Sequence, residues 1–395
     1  MVARRVATAA RPVAAPALGA RDNALRILAP ALGLAFLIAV TLGLTAPDPA
    51  RAKIPYLAPG PQPVALTVKP IPYFRIGYPE QYRFGTLEYI GGMELWSRNR
   101  NFGALSSLIT LDDGDRIVAL TDNGLWFDAY LTIDAAGQMT GIHDARMAPM
   151  MDPGGRPMMS ERDADAESLA LAGWPDNPHL LVSFERDHRI ESFPLDLRNF
   201  LTTGTRLKIP RAISRLRHNT GLEAISVPPP SCPLGDAIVA IAERDRDRNA
   251  DIPGWIIGGR HPGQFRIRRI GDYSITDSAF LPGGDLLILE RQFNFSEGIG
   301  MRIRRIPCDA LRGRGTIDGA ILIEADLGYQ IDNMEGLAVH IDPRTGKTIL
   351  TLVSDDNRSI LQRTLLLRFA LTDPPLPPAL KGGPTGDHAP GDKPL

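Results

Sequence analysis

Ala166-Glu167-Ser168-Leu169-Ala170-Leu171, Leu222-Glu223-Ala224-Ile225-Ser226-Val227 and Met334-Glu335-Gly336-Leu337-Ala338-Val339 say nearly the same thing in three places. Each is a glutamate, a small residue and a short apolar run of strand type. Each is followed, after a turn, by a second apolar run that ends in acidic residues. Two more stretches fit more loosely. Leu105 to Ile109 leads through Asp112-Asp113-Gly114-Asp115 to a strand ending at Asp122-Asn123-Gly124, and a unit opening at Asp277 has its second strand ending at Glu290-Arg291. Five such units recur every 40 to 60 residues or so, with almost no helical periodicity between them. A supersecondary unit repeating at this period stacks its neighbours to bury a common core. The expected fold is therefore all-β: a β-propeller of five or six blades, mostly of four antiparallel strands. Closing the ring needs a strand from the other end of the chain, and Phe84 to Leu95 is the candidate for the outer strand of the last blade. Residues 60–100 and 311–331 leave room for a sixth blade.

The units occupy about 81–372 of the 395 residues. Before them, residues 1–52 combine early arginines, an apolar run from Leu28 to about Ala46, and the small-x-small sequence Ala50-Arg51-Ala52. That order reads as a secretory signal, with an uncleaved anchor as the alternative. Residues 53–80 read as a proline-rich lead-in, and 373–395, rich in Pro and Gly, as a disordered tail. The first 52 residues hold six arginines and two aspartates in a chain of net charge −1, so the rest carries −5. A mildly acidic body argues against nucleic acid as partner and is compatible with a divalent cation. The expectation is a periplasmic or secreted monomer that meets a membrane only through its N-terminal segment. Its two cysteines, Cys232 and Cys308, fall in adjacent units on the side away from the acids, and a disulfide between them is expected in an oxidising compartment.

Antiparallel strands bring the start of one and the end of the next to the same face. Glu167, Glu223 and Glu335 stand at the first place. Asp122, Glu185, Glu243, Glu290 and Asp355 stand at the second. Carboxylates from distant parts of the chain thus converge at one mouth of the channel. Like charges so confined need compensation, and Ca²⁺, with its 6–8 oxygen ligands in flexible geometry, supplies it. The alternative is pairing with the adjacent arginines Arg186, Arg244, Arg291 and Arg358. Those arginines either pack between blades or rim the mouth and bind an anionic substrate. Asp245 to Asp251 places oxygens at alternate positions like half of a calcium loop, but Ala250 stands where that loop needs glycine. No nucleophile elbow, zincin helix or phosphate-cradling loop is present, and the histidines show no ligand spacing.

The three opening stretches, together with Leu120-Thr121-Asp122-Asn123-Gly124, Ser354-Asp355-Asp356-Asn357-Arg358 and Phe102 to Leu108, resemble the phytase-like, esterase-like β-propeller proteins of bacteria. In Phe102 to Leu108, Ser106 stands where later units have Glu. The resemblance spans about residues 84–372. It implies an exported hydrolase of ester bonds, phosphomonoester or carboxylic ester, acting on a small molecule with Ca²⁺-activated water at a carboxylate-lined mouth. It also implies Glu167, Glu223 and Glu335 as foremost metal ligands, followed by Glu185, Glu243, Asp122 and Asp355, with Arg186, Arg244, Arg291 and Arg358 on the substrate side. Lysines are scarce near the repeats, so phosphate binding would rest on arginine. A non-catalytic periplasmic binding propeller and a lactonase-type propeller are the competing readings.

Overall fold

The structure, a computed structural model, describes residues 57–217, 220–294, 298–313 and 315–372. Residues 1–52, read as a secretory signal, and 373–395, read as a tail, lie outside the described residues. What is described belongs to one compact unit, Pro55–Leu395.

Five sheets follow one another in chain order, and each is built outward from a short inner strand. These inner strands are Leu105–Leu111, Ala166–Ala172, Leu222–Ser226, Ser274–Phe280 and Asn333–Ile341, in blades 1 to 5. Each packs against the inner strands of the blades on either side, so the five form a closed ring about a central axis. Leu87–Trp96 lies antiparallel to Thr364–Leu371 and closes the last blade with residues from near its own N-terminal end. The stretches that left room for a sixth blade are outer strands of these five. Ala320–Ala325 completes blade 4, Thr316–Ile317 adds a parallel strand to blade 3, and Gln62–Pro63 pairs on the edge of blade 1.

The proline-rich lead-in is, from residue 57 on, part of the folded body. Thr67–Ile71 pairs with the closing strand, and Phe74 is fully buried among Phe84, Tyr89, Tyr329 and Phe369. Proline is tolerated there because these are edge strands, where the missing N–H costs nothing. Cys232 and Cys308 are disulfide-bonded, with Cα atoms 5.8 Å apart, and join the loop after blade 3's inner strand to the residue opening the helical turn Cys308–Leu311 of blade 4.

The repeat has a structural cause. In every blade the pairing of first and second strands slips by one residue at the same place, leaving Ser106, Glu167, Glu223, Thr276 and Glu335 as the extra residue of a β-bulge. A bulge bends its strand and re-aims the unpaired side chain. The small residue that follows, Ser107, Ser168, Ala224, Asp277 or Gly336, lies where five backbones converge. A Cβ on Gly336 would sit 2.7 Å from a methyl of Val353 and 3.0 Å from the Cα of Ser107. Blade 4 thus departs from the sequence reading by one residue on both strands. Thr276, not Asp277, stands at the bulge. Arg291, not Glu290, follows the second-strand residue that pairs just before the bulge.

Inner strands have no neighbour in their own sheet on the axial side, so their free N–H groups need partners. The small polar residues supply them. Ser107 Oγ accepts from Leu169 N, Ser168 Oγ from Ile225 N, and the Asp277 carboxylate from Leu337 N (3.1, 2.9 and 2.8 Å). Asp277 reaches across the axis, accepting also from Ser107 Oγ at 2.9 Å, Ser168 Oγ at 3.2 Å and Ser278 N at 2.8 Å. One carboxylate therefore ties blades 1, 2, 4 and 5. Ala224 and Gly336 leave it the space.

Candidate metal centre

The bulge residue and the second-strand residue that follows the partner of the residue before the bulge lie side by side at one end of each blade. Going round the ring, the pairs are Ser106 with Asp122, Glu167 with Glu185, Glu223 with Glu243, Thr276 with Arg291, and Glu335 with Asp355. The backbone repeats with them: the N–H groups of Asp122, Glu185 and Glu243 donate to the carbonyls of Ala104, Asp165 and Gly221, two residues before each bulge. Three blades give two carboxylates each, blade 1 gives one, and blade 4 gives a cation and a hydroxyl.

These groups are buried or half-buried. Glu335, Asp355, Glu185 and Glu243 retain only 8–9% exposure, while Asp122, Glu167 and Glu223 are half-buried. Burial is the first cause that drives the Glu167 and Glu223 carboxyls well above the ordinary carboxylate range. Neighbouring acids add to it: Asp165, Glu185, Asp122 and Glu335 around Glu167, and Glu167, Glu243, Glu185 and Glu335 around Glu223. Asp355 is pushed up in the same way by burial, Asp122 and Glu335. The Glu335 carboxyl is raised to about 7 by burial, although Arg291 and Asn333 Nδ2, the latter donating at 2.8 Å, both favour its charged form. Such mutual perturbation is what compression of like charges without enough countercharge produces.

The arginines divide. Arg291 lies inside the ring with its Nε 2.9 Å from Glu335, and Glu335, Glu243, Glu223 and Asp355 raise its pKa against burial. Arg186 pairs with Asp165 at 2.7 Å and Arg244 with Glu243 at 3.4 Å. Arg358 donates instead to the carbonyl of Arg100. Glu290 is removed from the mouth altogether: it is fully buried in blade 4 and bound by two nitrogens of Arg304 at 2.6 and 2.7 Å. The Asp245–Asp251 loop does not assemble a site either. Its acids cap their own turn and pair with Arg266 and Thr316.

Two participants escaped the sequence reading. Asp165, two residues before Glu167, brings an oxygen within 4.8 Å of oxygens of both Glu167 and Glu185. Two ligands on opposite sides of one Ca²⁺ are separated by about that much, given Ca–O distances of ~2.3–2.6 Å. Asn333 occupies the same place before Glu335. An oxygen-bearing residue two positions before the glutamate, in two of three units, was the signal available. The donor set is all carboxylate and amide oxygen, which suits a hard cation and excludes a soft one.

Residues 100–358 match the family model Phytase-like, described as esterase-like activity of phytase. No curated protein matches the chain. Among solved structures, the tail fibre of Staphylococcus aureus phage P68 aligns at 10% identity with a TM-score of 0.34, covering 73% of this chain and 53% of that one. The Dos1 propeller aligns at 12% identity and TM-score 0.30, covering 64% and 53%. The Cps50 (Swd1) β-propeller domain of Myceliophteria thermophila aligns at 10% and 0.33, covering 73% and 95%. The chain thus spans about half of the first two structures, and at these scores they add nothing to the hydrogen-bond ladders. The family model covers well over half of the chain, including all five bulges and every ring acid, and the chain belongs to the phytase-like family.

Proposed function

We propose that the chain is an exported hydrolase of small phosphomonoesters or carboxylic esters that works with Ca²⁺ at the acid-ringed mouth. The observation that supports this reading is the charge imbalance of the ring: seven carboxylates and Asp165 face Arg291 within it, with Arg186 paired to Asp165 and Arg244 to Glu243. Bound calcium would supply positive charge to ester oxygens and lower the pKa of water. Asp165, Glu167 and Glu185 form the tightest group to hold it, with Glu223, Glu243, Glu335, Asp355 and Asp122 completing the ring. Arg291 is placed to receive an anionic oxygen of the substrate, a task that suits guanidinium geometry. Thr276 and Ser106 stand where the other blades place acids, their hydroxyls donating to the carbonyls of Met334 and Ala166, which leaves the blade 4 and blade 1 sides less repulsive to an anion. The Cys232–Cys308 bridge and the acidic mature body fit a periplasmic or secreted monomer.

The test is hydrolysis of a generic phosphomonoester and a panel of carboxylic esters by the purified protein. Activity should require Ca²⁺, vanish with chelator, and fall on the order of 10–100-fold or more in Glu223→Gln. Full activity in chelator contradicts the metal role. A calcium-dependent rise in melting temperature with no turnover of any ester would make the ring the site of a non-catalytic binding propeller.

A further inference from the structure

On the face that carries the acid ring, the rim where blade 5 meets blade 1 exposes three large apolar side chains: Trp96 (55%), Ile360 (102%) and Leu361 (62%). Isolated exposed apolar residues are ordinary on a protein surface. These three are not isolated. Trp96 ends the closing strand, whose Leu95 pairs with Thr364, the residue on which the Ile360 and Leu361 loop re-enters the sheet. Residues 97–104 run from Trp96 to blade 1 alongside that loop, and the two segments are tied together. Ala104 N donates to Asp356 Oδ1 at 2.9 Å, and Arg358 Nη1 donates to the carbonyl of Arg100.

The charge of this rim is one-sided. Arg98 and Arg100 are exposed and make no ion pair among the described residues. Asp356, the acid between the two segments, is turned inward, where it accepts from Ala104 N, Arg358 N and Thr364 Oγ1. What faces out is therefore an indole, two aliphatic side chains and guanidinium groups on a rigid blade edge. Indoles favour the boundary between water and hydrocarbon. Arginine stems lie along apolar matter while their heads stay wet. Anionic headgroups attract such cations.

We propose that this rim docks the folded body onto an anionic lipid surface, inserting Trp96, Ile360 and Leu361 among the headgroups. Membrane contact then does not rest on the N-terminal segment alone. Asp355 immediately precedes the loop that inserts, so the acid ring lies on the same face, and the repulsion between its carboxylates and anionic headgroups confines the contact to the rim. The proposal stands whether or not the ring is catalytic.

Full-length protein carrying Trp174→Phe tests it. Trp174 is the other exposed tryptophan at 60%, while Trp126 and Trp255 are buried at 3% each, so the environment-sensitive emission is that of Trp96. With phosphatidylcholine vesicles containing phosphatidylglycerol, Trp96 emission should shift to the blue and be quenched by brominated acyl chains; pure phosphatidylcholine should do neither. Arg98→Gln with Arg100→Gln should weaken partitioning roughly 25-fold, about fivefold for each arginine near a charged surface. Ile360→Ser with Leu361→Ser should abolish the quenching. Ile341→Ser, which removes an exposed apolar side chain from the opposite face, should leave it unchanged. The proposal is overturned if Trp96 stays unquenched on anionic vesicles, if the loop variants quench as the parent does, or if a soluble protein rather than lipid produces the shift.

Discussion

Glu335 shows at the scale of one residue what the ring demands. Its carboxyl titrates near 7 in the folded protein and near 4.5 when unfolded, chiefly because of burial. Between those values the unfolded chain releases a proton that the folded one keeps, so stability falls as pH rises through about 4.5 to 7 and is flat above. The shift is equivalent to about 3 kcal/mol for this group as an upper figure. Metal-free protein should therefore melt at a lower temperature at pH 7.5 than at pH 5, and Glu335→Gln should flatten that slope. A wild-type slope unchanged by the substitution contradicts the assignment. His340, pushed down to about 4 chiefly by burial, acts in the opposite sense and costs stability as pH falls below 6.5, so the comparison must be between variant and parent. Asp277 answers to a different physics. Asp277→Asn puts an amide NH₂ where Leu337 N or a serine hydroxyl now donates, and should cost about 1–3 kcal/mol in denaturant unfolding; a neutral result would remove its role as the axial tie. The glutamates of the ring could be read from the sequence because they recur with the same neighbours. Arg291 was legible as an arginine beside an acid but not as a member of the ring, and the axial role of Asp277 was not legible, because blade 4 carries no glutamate at its bulge and nothing local distinguishes a bulge from a plain strand.

At the scale of the element, the bulge explains why the repeated unit reads as glutamate, small residue, apolar run. The glutamate is the unpaired residue, the small one faces the crowded axis, and the apolar residues fill the spaces between blades. Gly336→Ala should accordingly destabilise by about 1–3 kcal/mol, since its methyl would overlap Val353 and Leu108. Ala224→Gly, where no such crowding is removed, should cost about 0.5–1 kcal/mol of strand stability. Equal effects at the two sites would show that axial crowding does not select the small residue. Prolines kept residues 53–80 from being read as more than a lead-in, yet edge strands accept proline, and Phe74 anchors this segment in the core.

At the largest scale, the five sheets of the described body form a ring that closes only with help from Leu87–Trp96. Closure was legible because one strand-like segment lay unassigned before the first unit. Five units were countable as well, but the stretches that left room for a sixth were not assignable, because outer strands vary in length and carry no shared motif. Cys232→Ser removes a link spanning 76 residues between blades 3 and 4, and should cost up to about 4 kcal/mol in oxidising buffer, with no change under reducing conditions. The central claim is that the ring assembled at one mouth is a cation site, and calorimetric titration of metal-free protein with Ca²⁺ at pH 7.5 tests it most directly. The account predicts saturable binding that is lost in Glu167→Gln with Glu223→Gln. Absence of binding heat together with an unchanged melting temperature at millimolar Ca²⁺ would contradict it.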